Sequence, residues 1–319
     1  MRILLTGATG FVGRGLTPLL LRQGHEITAA VRKSSYELDS HVTQALISDL
    51  SSDQKWLPVL SGHDVVIHSA ARVHVMSDES SDPLAEYRKT NVEGTLNLAR
   101  QSAEAGIRRF IFISSVKVNG ESTTPSNLYS AESQPAPLDP YGISKLEAEQ
   151  GLRALSTETG MEIVIIRPVL VYGPGVQANF LSMMRWLHKG VPLPFGALHN
   201  RRSLVALDNL TDLIATCVVH PAAANQIFMV SDGEDLSTTM LLRRMGVALG
   251  KPVRMLPIPG WVLETGASML GKQALAQRLC GSLQVDIEKT RTLLNWNPPV
   301  SIDEALGKTA KHFLDLRIK

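Results

Sequence analysis

The chain has 319 residues, of which 44% are hydrophobic and 19% charged, so it can bury a large core as one big domain or two smaller ones. Its 32 basic and 30 acidic residues give a net charge of +2, which is too balanced to indicate a face that binds nucleic acid. Only two cysteines occur, Cys217 and Cys280, so neither a disulfide framework nor a cysteine metal site has support, and a reducing compartment fits.

Short β-branched runs alternate with helical patterns through the first half of the chain. In chain order, the predicted strands and helices cover residues 3–6, 12–22, 27–31, 45–48, 65–68, 84–105, 110–114, 141–159 and 163–167. Such alternation is typical of a parallel sheet that is covered on both faces. The sequence therefore predicts an α/β fold with a doubly wound parallel sheet.

The regular alternation of strands and helices ends after residue 168, and connections rich in glycine and proline occur at 173–175 and 192–196. Between and beyond them we predict helices over 179–189, 237–249 and 286–295, and strands at 203–207 and 226–230 that rejoin the main sheet. We therefore expect a dinucleotide-binding domain over residues 1–171 and a smaller, mainly substrate-binding lobe over 172–319.

Neither a targeting segment nor a membrane span is visible in the sequence. The apolar stretch 255–270 is interrupted by Pro257, Pro259, Gly260 and Glu264, so it cannot supply an unbroken span. We expect a cytoplasmic protein that has neither a membrane nor a nucleic acid as its partner.

Three glycines, Gly7, Gly10 and Gly13, follow the first strand and lead into a helix. Bare backbone in such a turn lets a pyrophosphate approach the helix N-terminus, where free N–H groups and the helix dipole favour an anion. A tight turn with a purely structural role is the alternative. The context of strand and helix favours a dinucleotide site.

The end of the second strand carries Arg32, where an NAD site usually has an acidic residue. An arginine can pair with the 2′-phosphate of NADP(H), so this coenzyme is preferred and NAD(H) is possible; a solvated surface charge is the alternative for Arg32. Asp49, after the third strand, is positioned to contact the adenine, or else to cap a helix.

Tyr141 and Lys145 are four residues apart in a predicted helix, so the phenol and the ammonium group share one face. A nearby cation favours the phenolate and tunes the tyrosine as a proton donor to a carbonyl. An exposed helix pair is the plain alternative. The order of glycine turn, Ser114 and Ser115 after a strand, and this helix favours hydride chemistry on a nicotinamide coenzyme.

These residues together resemble the extended short-chain dehydrogenase/reductase family of nucleotide-sugar epimerases, dehydratases and 4-keto reductases. The matching motifs cover nearly the whole chain and lie at 6–13, 68–71, 91–95, 114–115, 141–145, 167–168, 202–208, 286–289 and 296–298. The resemblance implies that Tyr141 exchanges a proton with the sugar C4 hydroxyl while hydride passes between C4 and the nicotinamide. Ser115 would hold the same oxygen, with Ser114 as its alternative, and Lys145 would also bind the nicotinamide ribose.

The resemblance further implies the binding residues and the assembly. The coenzyme site would comprise Gly7, Gly10, Phe11, Val12, Gly13, Arg32, Asp49, Leu50, Ala70, Ala71, Asn91, Ser114, Tyr141, Lys145 and Pro168. The substrate site, for a UDP-sugar, would comprise Lys117, Asn179, Arg202 and Arg278. An ordinary solvated charge is the alternative for Arg278. The helices at 84–105 and 141–159 would pair with their copies in a homodimer.

Departures from the family pattern narrow the choice among the reactions that the family catalyses. Val116 and Lys117 stand where the dehydratases carry an Asp-Glu pair, so dehydration is disfavoured. Leu170 replaces an asparagine common in UDP-galactose 4-epimerases. With Arg32, these features favour a 4-keto reductase acting on UDP-4-keto-6-deoxy-N-acetylhexosamine. A UDP-hexose 4-epimerase with tightly held NAD and a non-catalytic NADP-binding regulator are the alternatives. His68 has no metal-ligand companion, so no metal site is expected.

Overall fold

A computed structural model describes residues 1–73, 82–124, 126–271 and 273–318. Its strands are β1 (Arg2–Thr6), β2 (Glu26–Val31), β3 (Thr43–Leu46), β4 (Val65–His68), β5 (Arg109–Ile113), β6 (Glu162–Pro168), β7 (Leu170–Tyr172), β8 (Arg202–Ala206), β9 (Ile227–Val230) and β10 (Asp235–Leu236). Its α-helices are α1 (Phe11–Arg22), α2 (Leu57–Leu60), α3 (Pro83–Arg88), α4 (Thr95–Glu104), α5 (Pro140–Thr159), α6 (Ala178–His188), α7 (Leu207–Val219), α8 (Thr238–Ala248), α9 (Gly260–Met269), α10 (Gln273–Cys280), α11 (Glu288–Leu294) and α12 (Ile302–Ile318).

Seven parallel strands form the main sheet in the order β3-β2-β1-β4-β5-β6-β9. Successive side chains of a strand point to opposite faces, so Ile3 and Leu5 pack into one buried cluster and Leu4 into another. Residues of α1 and α7 belong to the first cluster, and residues of α4 and α5 to the second. The predicted α/β, doubly wound sheet of the Rossmann type is thereby confirmed.

The strand order reverses between β1 and β4, which are neighbours although β2 and β3 lie between them in the chain. In open α/β sheets, ligands bind in the crevice at the carboxyl ends of the strands where such a reversal occurs. The glycine turn after β1, the loop after β4 and the two serines after β5 therefore meet at one edge.

A second, three-stranded sheet has the order β10-β8-β7 and lies apart from the main sheet. The prediction that the strand near 203–207 rejoins the main sheet is wrong, because β8 pairs with β7, Leu204 opposite Leu170. β9, in contrast, pairs with β6 in the main sheet. Apolar periodicity shows that a strand forms but does not specify its partner, which explains the error. The domain boundary at residues 171 and 172 stays a prediction.

The predicted helix at 84–105 forms as three consecutive helical segments. A π-helical turn over Lys89–Gly94 joins α3 to α4. Such turns are rare and often mark functional sites. In the described ranges of the chain, no helix combines the length and apolarity needed to cross a membrane.

Candidate active site

The glycine turn after β1 leaves an open helix end at the beginning of α1. Gly10 precedes the helix, and among the described residues no side chain caps its first amides. Gly7 has a φ of 76°, and a Cβ on Gly13 would lie 2.2 Å from the carbonyl oxygen of Gly7. Bare backbone is therefore required, and uncapped amides suit a pyrophosphate, so a dinucleotide fits this turn. Phe11 and Val12, in the first turn of α1, are half-buried.

His68 ends β4 and is buried between two threonines. Its Nδ1 lies 2.7 Å from Thr6 Oγ1 and its Nε2 lies 2.9 Å from Thr95 Oγ1. Burial, followed by the charge of Lys145, lowers the pKa of His68 to about 3. The ring is therefore neutral and joins β1, β4 and α4, which is a structural role beneath the crevice.

Asn91, in the π-helical turn, holds the loop that follows β4. Its Nδ2 donates to the backbone oxygen of Arg72 at 3.1 Å and to Ser144 Oγ at 3.0 Å, and its Oδ1 accepts from the Arg72 amide at 2.8 Å. Asn91 thus uses its whole amide group to fix this loop. Ala70 and Ala71, just before Arg72, are half-buried at the crevice.

The side chains of Tyr141 and Ser115 meet at the carboxyl end of β5. Asp139 caps the helix that carries Tyr141 by accepting a hydrogen bond from the Gly142 amide at 2.7 Å. Burial raises the pKa of the Tyr141 phenol, the nearby charge of Asp139 raises it further, and a hydrogen bond to Ser115 opposes them. The expected lowering of the phenol pKa is therefore absent from the protein alone, in which Tyr141 is a protonated donor.

Ser114 has a different partner from its neighbour. Its hydroxyl donates to the carboxylate of Glu149, which also accepts hydrogen bonds from Arg167 at 3.0 and 2.5 Å. Arg167 donates in addition to Asn119 Oδ1 at 3.2 Å. Ser115 thus contacts the Tyr141 phenol, whereas Ser114 is hydrogen-bonded to the buried ion pair of Glu149 and Arg167. No sequence motif singled out Glu149, although its spacing of four residues from Lys145 was an available signal.

Lys145 lies one helical turn after Tyr141 in α5 and is 2% exposed. Its Nζ donates to the carbonyl oxygen of Ile113 at 2.8 Å and lies 4.2 Å from the ring centre of Phe112. Burial lowers the pKa of Lys145 to about 7, against an opposing effect of the Glu149 carboxylate. Burial therefore disfavours the charged form of Lys145, and a bound anion or hydroxyl group beside the ammonium group would favour it.

The residues predicted to bind the adenosine half lie at the opposite end of the crevice. Arg32 and Asp49 are exposed, and Leu50 is half-buried. An ion pair of 2.5 Å joins Arg14 to Glu37 on this side of the protein. Arg32 directly follows β2, at the carboxyl end of the strand where a 2′-phosphate would bind. Its contact with that phosphate stays a prediction. Pro168 is buried at the end of β6.

The predicted substrate residues divide into two groups. The Nζ of Lys117 forms ion pairs with Glu121, at 3.0 Å, and with Asp139, so two carboxylates offset its charge. Asn179 is exposed near the beginning of α6. The role of each in substrate binding stays a prediction.

Two of the predicted substrate residues, Arg202 and Arg278, lie near enough for their charges to interact. Burial, followed by the charge of Arg278, lowers the pKa of Arg202. Arg202 Nη1 donates to the backbone oxygen of Gly281 at 3.1 Å, which fixes the side chain. Like charges held together in this way suit a diphosphate, because each guanidinium can bind phosphate oxygens in a bidentate manner.

The chain belongs to the NAD dependent epimerase/dehydratase family, whose model matches residues 3–231. It is therefore an enzyme of that family, and the expected family resemblance is confirmed. A relative from Vibrio cholerae, named UDP-glucose 4-epimerase, is 48% identical over 98% of this chain and 95% of its own length.

Two solved structures support the fold. UDP-glucose 4-epimerase from Thermotoga maritima, with UDP-glucose, has a TM-score of 0.79 and 23% identity over 99% of this chain and 100% of its own. UDP-glucuronic acid 4-epimerase from Bacillus cereus, in complex with NAD, has a TM-score of 0.77 and 21% identity over 99% of each chain. At such identity the likeness establishes the fold alone.

Proposed function

We propose that this protein is an NAD-dependent 4-epimerase of UDP-sugars. The observation that carries the choice of reaction is the 48% identity, over 98% of the chain, to the relative named UDP-glucose 4-epimerase. The contact between Tyr141 and Ser115, with Lys145 one helical turn further along α5, supports chemistry at a sugar hydroxyl. The 4-keto reductase that the sequence favoured has weaker support than this alternative.

The phenol is protonated in the protein alone and has to lose its proton when the positively charged, oxidised coenzyme is bound beside it. In the proposed reaction the resulting phenolate of Tyr141 accepts the proton of the C4 hydroxyl and later returns it. Ser115 donates a hydrogen bond to the same oxygen, and the charge of Lys145 favours the phenolate while its ammonium group binds the coenzyme ribose. The nicotinamide, when bound, supplies the hydride acceptor and donor. Because the 4-keto sugar can present its other face before the proton and hydride return, one site interconverts the two C4 epimers.

The 4-keto reductase remains the second candidate, and Arg32 is the observation that favours it. A reductase exchanges its coenzyme in each turnover and commonly uses NADPH, whereas an epimerase retains its NAD. Arg32 is an exposed cation at the end of β2, where a 2′-phosphate would be recognised. The two candidates therefore differ in coenzyme consumption.

The deciding experiment incubates the purified protein with UDP-glucose and no added coenzyme. We expect UDP-galactose to form, as separated by chromatography, and a matched preparation of Tyr141→Phe to form almost none. In a parallel reaction a UDP-4-keto-6-deoxy sugar is mixed with NADPH, and absorbance of the reduced nicotinamide is followed. Stoichiometric NADPH loss without any interconversion of UDP-sugars would reverse the choice in favour of the reductase.

Replacing Arg32 with aspartate tests the coenzyme preference. If Arg32 contacts a 2′-phosphate, Arg32→Asp should weaken NADP(H) binding by at least about tenfold more than NAD(H) binding, because an ion pair becomes a repulsion. Titration calorimetry with both coenzymes measures the difference, and Lys33→Asp serves as the neighbouring control. Equal losses for the two coenzymes would remove Arg32 from phosphate recognition.

The two serines after β5 form a matched pair for mutation. Ser115→Ala should reduce turnover by about tenfold or more, because it removes a donor to the reacting oxygen. Ser114→Ala should leave turnover within about threefold but lower the free energy of unfolding by about 1–3 kcal/mol, because buried Glu149 loses a hydrogen bond. Steady-state kinetics and urea unfolding separate the effects. The reverse pattern would make Ser114 the functional serine.

The predicted homodimer and cytoplasmic location belong to this proposal as further expectations. In the expected dimer, the helices at 84–105 and 141–159 pair with their copies. Within each subunit, we expect Arg202 and Arg278 to bind the diphosphate of the substrate. Sedimentation velocity tests the oligomeric state.

A further inference from the structure

Helix α9 is apolar but exposed on the surface of the protein. None of its residues is buried, although most of its side chains are apolar. Trp261 is 70% exposed and Met269 is 85% exposed, and Leu270, directly after the helix, is 73% exposed. A helix that is largely apolar is normally covered by protein or lipid, so an exposed one marks an interaction surface.

The apolar surface continues into the segment that precedes α9. Leu256 is 51% exposed, and Val262 in the first turn of the helix is 38% exposed. This segment is held in place by bridges between Leu193 and Met255 and between Ala197 and Pro259. We refer to the exposed residues Leu256, Trp261, Val262, Met269 and Leu270 as the α9 surface. These bridges attach the beginning of the α9 surface to the lobe.

The segment of sequence that carries the α9 surface is basic. Between residues 245 and 285 the sequence holds Lys251, Arg254, Lys272 and Arg278 but only one acidic residue, Glu264, whereas the whole chain has a net charge of +2. Lys251 and Arg254 are exposed immediately before the apolar segment. Apolar side chains that include a tryptophan, flanked by lysine and arginine, form the combination that binds anionic lipid surfaces.

We propose that the α9 surface docks on the surface of an anionic membrane. Trp261, Met269 and Leu270 enter the boundary between headgroups and acyl chains, while Lys251 and Arg254 attract anionic headgroups. With ten residues, α9 is too short to span a bilayer, so it lies on the surface. The expectation of no membrane partner was based on the absence of a span, which surface docking does not require.

The position of α9 gives this docking a consequence for the site. α9 packs against α10, and α10 carries Arg278, whose charge acts on Arg202. Docking therefore holds the predicted diphosphate end of the crevice beside the lipid surface. The proposal goes beyond the epimerase proposal and does not depend on it, because lipid binding is measured without turnover.

Vesicle flotation with the full-length protein tests the proposal. We expect the protein to float with vesicles of phosphatidylcholine and phosphatidylglycerol at low salt, and much less with phosphatidylcholine alone or at high salt. The double variant Trp261→Ser with Met269→Ser should reduce the bound fraction at least about tenfold, because it removes two apolar anchors. Leu316→Ser, which replaces a residue 64% exposed on α12, is the matched control and should bind normally.

Three outcomes would overturn the proposal. The first is no flotation of the unmodified protein with anionic vesicles, and the second is equal flotation of the double variant. The third is an oligomer that the double variant alone disrupts, seen by sedimentation velocity without lipid binding, because a second copy of the chain would then cover α9. Circular dichroism and thermal unfolding confirm that each variant is folded, which is expected since both positions are exposed.

Discussion

Tyr141→Phe is expected to lose turnover by about 100-fold or more while it still binds the coenzyme with unchanged affinity. A positioned general acid or base contributes about this factor, and phenylalanine keeps the ring but has no proton to exchange. The ring environment is well defined, because Tyr87 lies edge-on at 6.1 Å between ring centres. The loss should therefore fall on kcat and leave the fold intact.

The control for this prediction is Tyr87→Phe. Tyr87 is buried in contact with Tyr141, so its variant removes a hydroxyl from the same neighbourhood without removing the proposed proton donor. We expect its turnover to stay within about fivefold of the unmodified protein. Coenzyme binding is followed by fluorescence quenching, and turnover by product chromatography. A Tyr141→Phe protein with normal turnover would exclude Tyr141 from the chemistry.

The sequence was sufficient for the parts of the site that local rules determine. Gly13 is needed because a Cβ would collide with the turn itself, and Gly7 has a positive φ that favours glycine; such short-range constraints are visible in the sequence. The spacing of Tyr141 and Lys145 follows from the helical period in the same way. The strands of the main sheet were predicted to within about two residues at most ends, as is usual for boundaries.

The remaining features depend on contacts between distant segments. β8 joins β7 rather than the main sheet, and no periodicity within residues 202–206 encodes that choice. The ion pair of Lys117 with Asp139 requires the loop after β5 to lie against the beginning of α5. The pair of Glu149 and Arg167 likewise joins α5 to β6. Such pairings arise only when the chain has folded.

The buried ion pair of Glu149 and Arg167 is significant because its carboxylate acts on the charge of Lys145. Glu149 and Arg167 are each 2% exposed, and a buried charge without its partner costs several kcal/mol. The carboxylate of Glu149 opposes the effect of burial on the pKa of Lys145. The core thus contributes to the charge state of the site.

Lys145→Met is expected to abolish most turnover and, at neutral pH, to stabilise the protein. Burial lowers the pKa of Lys145 to about 7, below the ordinary lysine value, so the unfolded chain binds more protons than the folded protein between about pH 7 and about pH 10. The free energy of unfolding of the unmodified protein should therefore rise with pH across this interval, by at most about 1.4 kcal/mol per pH unit from this group. Below about pH 7 the full cost of burying the ammonium group is present.

The methionine variant keeps a side chain of similar length but has no charge to bury. Its free energy of unfolding should exceed that of the unmodified protein most at about pH 7, and the difference should shrink towards about pH 10. Urea unfolding of both proteins without coenzyme, at several pH values, measures this difference, and exposed Lys311→Met provides the control. Parallel pH dependences for Lys145→Met and the unmodified protein would mean that Lys145 titrates normally. If Lys145 is retained for the chemistry rather than for folding, its replacement should raise the stability of the protein and lower its activity.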